Sequence, residues 1–97
     1  MEDFIYYNEL YDLYSSLLTD KQRQYFEDYY FHNLSFSEMG ENYNVSRNAI
    51  FKQLKITKEK LDEFESNLKL LQKKNKLVTI IEKIDNQKIK KELEELI

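Results

Sequence analysis

Large apolar side chains recur every three or four positions along nearly the whole chain, and any fold must satisfy that period. From Phe4 to Leu18 they fall at 4, 7, 10, 11, 14, 17 and 18. This spacing lines one face of a helix and would scatter over both faces of a strand. A second stripe follows at Tyr25, Phe26, Tyr29 and Tyr30. A third runs through Ile50, Leu54, Thr57, Leu61, Phe64, Leu68 and Leu71, alternating by four and three, with Thr57 its one polar member. Leu77, Ile80, Ile81 and Ile84 form a short apolar face, and Ile89, Leu93, Leu96 and Ile97 a last one. Composition agrees, with less force. One glycine and no proline in 97 residues leave little turn chemistry for a sandwich or barrel. However, 13 Lys against 2 Arg and a single Ala suggest A+T-rich codons, which thin Gly and Pro in any fold. Periodicity therefore carries the expectation of an all-α chain of about six helices.

Helix starts are marked by caps. Thr19 with Gln22 and Ser35 with Glu38 have the spacing of a capping box, in which each end hydrogen-bonds the other's backbone amide. Ser46 reads as the N-cap of the next helix. His32-Asn33 reads as a helix end, Lys73 to Lys76 as the end of the long third stripe, and Asp85-Asn86 as a break or cap.

Two N-terminal signals separated by a short connection outline a helix-turn-helix over about residues 35–56. Such a motif needs a small residue where its helices cross and one that tolerates left-handed backbone at the turn. Gly40 and Asn44 supply them, with Ile50 six residues further on. Met39, Gly40, Asn44, Val45, Ala49, Ile50 and Leu54 are expected to pack the motif, with Tyr43 beside them. Alanine at position 40 is expected to be tolerated or stabilising, and leucine to unfold the motif. Ser46, Arg47, Asn48, Phe51, Lys52 and Lys55 are expected on the outer face of the second helix. There Arg suits guanine edges or phosphate, Asn suits adenine, and helix N-terminal amides suit phosphate. The same face also suits a protein partner.

Charge sharpens this reading. The chain carries −3 overall, but residues 1–45 sum to −7, residues 46–60 to +4 and residues 61–97 to zero. One basic segment sits in an acidic or neutral chain, a poor design for avid non-specific DNA binding. A single glycine excludes glycine-rich phosphate loops, and the absence of cysteine excludes disulfides, thiol catalysis and thiolate zinc sites. His32 is alone and reads as a helix-end residue. The acids Asp62/Glu63/Glu65 and Glu92/Glu94/Glu95 read as solvated helix faces, and the 14 aromatic residues mainly as core. No catalytic residue, metal site or cofactor is expected. No apolar run has membrane-spanning length and the N-terminus lacks a signal pattern, so a cytoplasmic protein without membrane insertion is expected.

The elements Leu17-Leu18-Thr19-Asp20-Lys21-Gln22, Tyr29-Tyr30, Leu34 to Met39 and Val45-Ser46-Arg47-Asn48-Ala49-Ile50 resemble the YlxM family of small bacterial proteins. The resemblance spans roughly residues 10–70; beyond them only the helical character is similar. It implies a helix-turn-helix domain like the promoter-reading (region 4-like) end of sigma factors, with a long helix and a C-terminal helical arm. Family genes adjoin those of the signal recognition particle GTPases, which implies a regulatory or accessory role in that pathway. The family pattern has Ala where this chain has Gly40, Gly where it has Asn44, and Gln where it has Asn48.

The expected organisation is a helix-turn-helix domain over 1–72 and a C-terminal arm over 73–97. The expected function is a non-enzymatic regulatory or accessory protein that binds a macromolecule, with signal recognition particle components or DNA as partners. A DNA-binding transcriptional regulator is the alternative. The long apolar seam is expected either to pack within the chain or to join two chains, and a homodimer is favoured.

Overall fold

Local capping chemistry sets most of the helix boundaries. The computed structural model describes residues 4–97 and contains helices but no strand among them. Helix α1 spans Phe4–Tyr14 and passes through a 3-10 turn, Ser15–Leu17, into α2, Asp20–Tyr30. Helix α3 spans Phe36–Tyr43, α4 Arg47–Leu68, α5 Leu70–Glu82 and α6 Gln87–Glu94. Both capping boxes form: the Thr19 and Ser35 side chains accept from the amides of Gln22 and Glu38, whose side chains accept in return. Ser46 accepts from the Ala49 amide at 3.0 Å, and Asn86 from those of Lys88 and Ile89. Asn33 takes a left-handed conformation (φ 59°) beyond α2, where the sequence predicts a helix end.

Two buried clusters meet along α4. Leu10, Tyr11, Tyr14, Leu18, Phe26, Tyr30, Leu61 and Leu71 form the larger one between α1, α2, the C-terminal half of α4 and the start of α5. Tyr25, Met39, Ile50 and Leu54 form the smaller one under the helix-turn-helix. Half-buried Tyr29 touches both. Phe26 lies between Tyr11 at 4.3 Å and Tyr30 at 4.2 Å, with near-parallel rings, an arrangement that adds to simple area burial. The seam residues Ile50, Leu54, Thr57 and Leu61 are thus covered by the chain's own helices. The Thr57 hydroxyl donates to the Gln53 carbonyl at 2.9 Å, which removes the penalty of its burial.

The long helix ends earlier than its apolar period predicts. Instead of running to Lys73–Lys76, it stops at Leu68, and Lys69 adopts a left-handed conformation (φ 57°, ψ 32°). Helix α5 then runs straight through Lys73–Lys76. The cause is tertiary. Glu65 reaches past the corner and accepts from the amides of Leu71 and Gln72 at 3.0 and 3.1 Å, serving as the cap that Lys69 lacks. Tyr14 of α1 donates to Glu65 at 2.6 Å and accepts from the Leu70 amide at 3.0 Å. Burial alone would raise the Glu65 pKa, but these three hydrogen bonds outweigh it and hold the carboxyl below its ordinary value. Glu65 is therefore no solvated acid, and neither is Asp62, which accepts from Tyr7 at 3.0 Å. Beyond the corner α5 and α6 pack on each other as an arm, and the whole molecule measures 55 × 26 × 25 Å.

Candidate functional site

The turn between α3 and α4 explains why this segment holds the shape it does. Asn44 is left-handed (φ 56°, ψ 45°), the conformation expected of it. Its amide donates to the Glu41 carbonyl at 3.3 Å and that of Val45 to the Gly40 carbonyl at 2.9 Å. This pair of bonds is a Schellman ending, which closes the last carbonyls of α3 and reverses the chain. Gly40 is buried where the helices cross. A Cβ there would lie 2.8 Å from the Val45 carbonyl oxygen and 3.4 Å from the Arg47 nitrogen. The geometry runs against the expectation that alanine is tolerated or stabilising: both neighbours are backbone, and the turn must move to admit a methyl group.

Met39, Ile50 and Leu54 are buried as expected, and Ala49 and Tyr43 half-buried. Val45 departs from the expected inner face, being 39% exposed. After a Schellman ending the residue at this position normally covers an apolar side chain five residues earlier. Here that residue is Gly40, which offers nothing to cover. Asn44 is also exposed, and its contribution is backbone geometry rather than packing.

All six residues assigned to the outer face are exposed: Ser46, Arg47, Asn48, Phe51, Lys52 and Lys55. Asn48, Lys52 and Lys55 lie on the side of α4 away from Ile50 and Leu54, and Arg47 and Phe51 lie along its margin. Among the described residues none of Arg47, Lys52 and Lys55 forms an ion pair. Arg23, the other arginine, is occupied elsewhere, pinning the 3-10 turn by donating to the Leu18 and Ser15 carbonyls at 2.6 and 3.1 Å and pairing with Asp20. The start of α4 therefore presents three exposed cations without an ion-pair partner among the described residues.

The surrounding acids are partly withdrawn from solvent. Tyr11 donates to Glu27 and Tyr43 to Asp28, so ionising either phenol would break that hydrogen bond and set a poorly hydrated phenolate against a carboxylate. Burial first, then the carboxylate hydrogen bond, pushes both phenol pKa values above the ordinary tyrosine value. On α3, Glu38 and Glu41 remain exposed; hydrogen bonds from the Ser35 amide and hydroxyl keep Glu38 below its ordinary value.

Sequence reasoning left out two members of the surface. Phe36, the first residue of α3, meets Phe51 edge-to-face at 5.9 Å, and with Arg47 and Asn48 they line an open depression of about 460 Å³. Lys58 lines a second depression with Phe36, Phe51, Leu54 and Lys55. Lys58 lies seven residues after Phe51, so helical spacing alone pointed to it; Phe36 is recognisable only once the crossing of α3 and α4 is known. Among the described residues no three of His, Asp or Glu converge as a metal site would require, and no helix is long and apolar enough to cross a membrane.

A short helix, a left-handed turn and a second helix seated across a buried glycine define the chain as a helix-turn-helix protein. Comparison with known proteins gives the particular family. The family model described as "Putative helix-turn-helix protein, YlxM / p13 like" matches residues 1–97, and the chain belongs to this family, UPF0122. It is 38% identical over 89 residues to a "Probable UPF0122 protein" of Mycoplasma mycoides, covering 92% of this chain and 79% of that protein. It is 40% identical over 83 residues to a UPF0122 protein of Caldanaerobacter subterraneus subsp. tengcongensis, covering 86% and 71% respectively. A UPF0122 protein of Bacillus thuringiensis is 48% identical over 66 residues, 68% of this chain and 60% of the relative.

Proposed function

We propose that this protein is a non-enzymatic, cytoplasmic regulatory or accessory factor of the signal recognition particle pathway that docks a negatively charged macromolecule on the outer face of α4. The observation carrying the docking is the exposure of Arg47, Lys52 and Lys55 on one helix face with no ion-pair partner among the described residues. The pathway assignment rests on the YlxM family and on the genomic company its members keep. The net −7 over residues 1–45 disfavours polyanions at α1 to α3, which leaves the +4 of residues 46–60 as the basic segment of the chain.

Affinity capture from lysate, with and without nuclease, tests this reading. Recovery of signal recognition particle components, lost in the Arg47→Ala/Lys52→Ala double variant, is the expected result. Capture that survives the double variant unchanged would remove α4 from the reading. A second reading, a promoter-binding transcriptional regulator, is favoured by Arg47 and Asn48 at the start of α4, where a helix-turn-helix protein reads base edges. Sequence-specific duplex binding that falls steeply with salt would select it. The proposal includes a homodimer formed through the α5–α6 arm, supported by exposed Leu70, Val78, Ile80, Ile89, Leu96 and Ile97. Sedimentation equilibrium of the whole chain checks it, and a monomer at tens of micromolar would dismiss it.

A further inference from the structure

Phe51 is a large apolar side chain placed among cations, half exposed at 50%. It does not swing freely. Its ring meets Phe36 at 5.9 Å with planes at 68°, and Phe36 in turn stacks on Tyr29 at 5.0 Å and 24°. The edge-to-face contact fixes one side of the pair and leaves part of the Phe51 ring open. The depression of about 460 Å³ lies toward Arg47 and Asn48, and one of about 230 Å³ lies toward Lys55 and Lys58. An oriented aromatic ring thus stands between two shallow basins, with basic residues on either side.

We infer that Phe51 is a stacking platform for an unpaired nucleobase, with Arg47 and Lys55 receiving the phosphates that flank it. This deepens the reading of α4 as a docking face for a negatively charged macromolecule, and rests on it. Every base offers a π-face, so stacking needs no sequence match, while phosphates on both sides find a cation. Asn48 opens on the same basin as Phe51 and brings both donor and acceptor to the base edge. Duplex nucleic acid fits less well. Its bases are already stacked and present only their edges, whereas a single strand leaves a base face free to stack. Single-stranded RNA and single-stranded DNA share the recognised chemistry.

The chain has no tryptophan, so Phe51→Trp puts a single indole reporter into the platform. The full chain is titrated with short oligouridine, oligothymidine and a mixed-sequence duplex. Quenching of the indole by either single strand supports the platform, and the relative affinities of the two strands identify the sugar preferred. Phe51→Ala is expected to weaken single-strand binding roughly 5- to 100-fold. Phe51→Leu, which keeps an apolar cover over Phe36, should lose binding similarly while circular dichroism shows an unchanged fold. Single-strand binding with unaltered indole emission and unaltered Phe51→Leu affinity would overturn the inference, and so would tighter binding of the duplex. Capture of a partner that needs Arg47 and Lys52, without any oligonucleotide binding, would overturn stacking alone and leave the docking reading in place. Capture indifferent to Arg47 and Lys52 would be the separate failure of that reading.

Discussion

Replacing Gly40 by alanine sets two well-understood effects against each other. Inside a helix alanine is favoured over glycine by about 1 kcal/mol, because glycine loses more backbone freedom on folding. Against this, the new Cβ would stand 2.8 Å from the Val45 carbonyl oxygen and 3.4 Å from the Arg47 nitrogen. Neither atom belongs to a side chain that can rotate away, so the turn and the start of α4 must shift outward. Forcing a methyl group into a packed site costs about 1–3 kcal/mol. The expected net effect is a destabilisation of about 1 kcal/mol, or a fall in Tm of roughly 4–8 °C for a chain of this size. Thermal and urea unfolding followed by circular dichroism measure it, and amide exchange at Val45 to Arg47 shows whether the turn has moved. Asn44→Gly supplies a second handle, because it frees the left-handed position and lets the turn adjust. The Gly40→Ala/Asn44→Gly pair, the combination carried by the YlxM pattern, is expected to be more stable than the sum of the single changes by roughly 0.5–1 kcal/mol. A Gly40→Ala variant that gains the full helix-propensity increment, with unchanged exchange at the turn, would refute the close crossing as the reason for glycine. Gly40→Leu adds a branched side chain to the same gap and is expected to unfold the motif.

Other outcomes follow from the corner and the buried phenols. Tyr14→Phe removes the donor to Glu65 and the acceptor of the Leu70 amide, and should cost about 2 kcal/mol with faster exchange at Leu70 to Gln72. Because the folded-state pKa of Glu65 is depressed, its stabilisation is present above its unfolded value and lost as pH falls through the folded value; Glu65→Gln should flatten that acid limb of a Tm-against-pH curve. Tyr11, Tyr14 and Tyr43 have raised pKa values, caused first by burial and then by their carboxylate partners. Their contribution is complete below the unfolded value of 10.0 and is lost as pH rises through the folded values, so tyrosinate absorbance from these three should develop together with unfolding. Asn86→Ala removes the cap of α6 and should cost about 1 kcal/mol in the arm, visible as fraying by amide exchange with the helix-turn-helix unaffected.

The part of the fold legible in the sequence is the part determined by neighbours in sequence. Thr19 with Gln22, Ser35 with Glu38, and the lone Ser46 cap are encoded within four residues, and each forms as read. Asn44 declares its left-handed turn because few other residues accept one. The corner at Lys69 is different. Lysine carries no preference for left-handed backbone, and the apolar period runs unbroken across it to Leu71. What breaks the helix is a carboxylate held by Tyr14, 51 residues earlier in the chain. Periodicity reports which side of a helix is apolar, and it is silent on whether that helix continues or folds back to bury the same side. Val45 shows the complementary limit: the pattern identifies an apolar residue near a turn, but its exposure depends on Gly40 having no side chain for it to cover.

The candidate site was legible as a face and not as a shape. Helical spacing from Ser46 brings Arg47, Asn48, Phe51, Lys52 and Lys55 to one side, and they lie there. It does not bring Phe36 beside Phe51, because that contact arises from the angle at which α3 crosses α4. The acidic total likewise misleads until the partners are known. Glu27, Asp28, Asp62 and Glu65 each accept a tyrosine hydroxyl, so they act as internal fasteners between helices as well as surface charge. Their field still opposes polyanions approaching α1 to α3, while Arg47, Lys52 and Lys55 at the start of α4 form no ion pair among the described residues. An overall charge of −3 is therefore compatible with one polyanion-binding face.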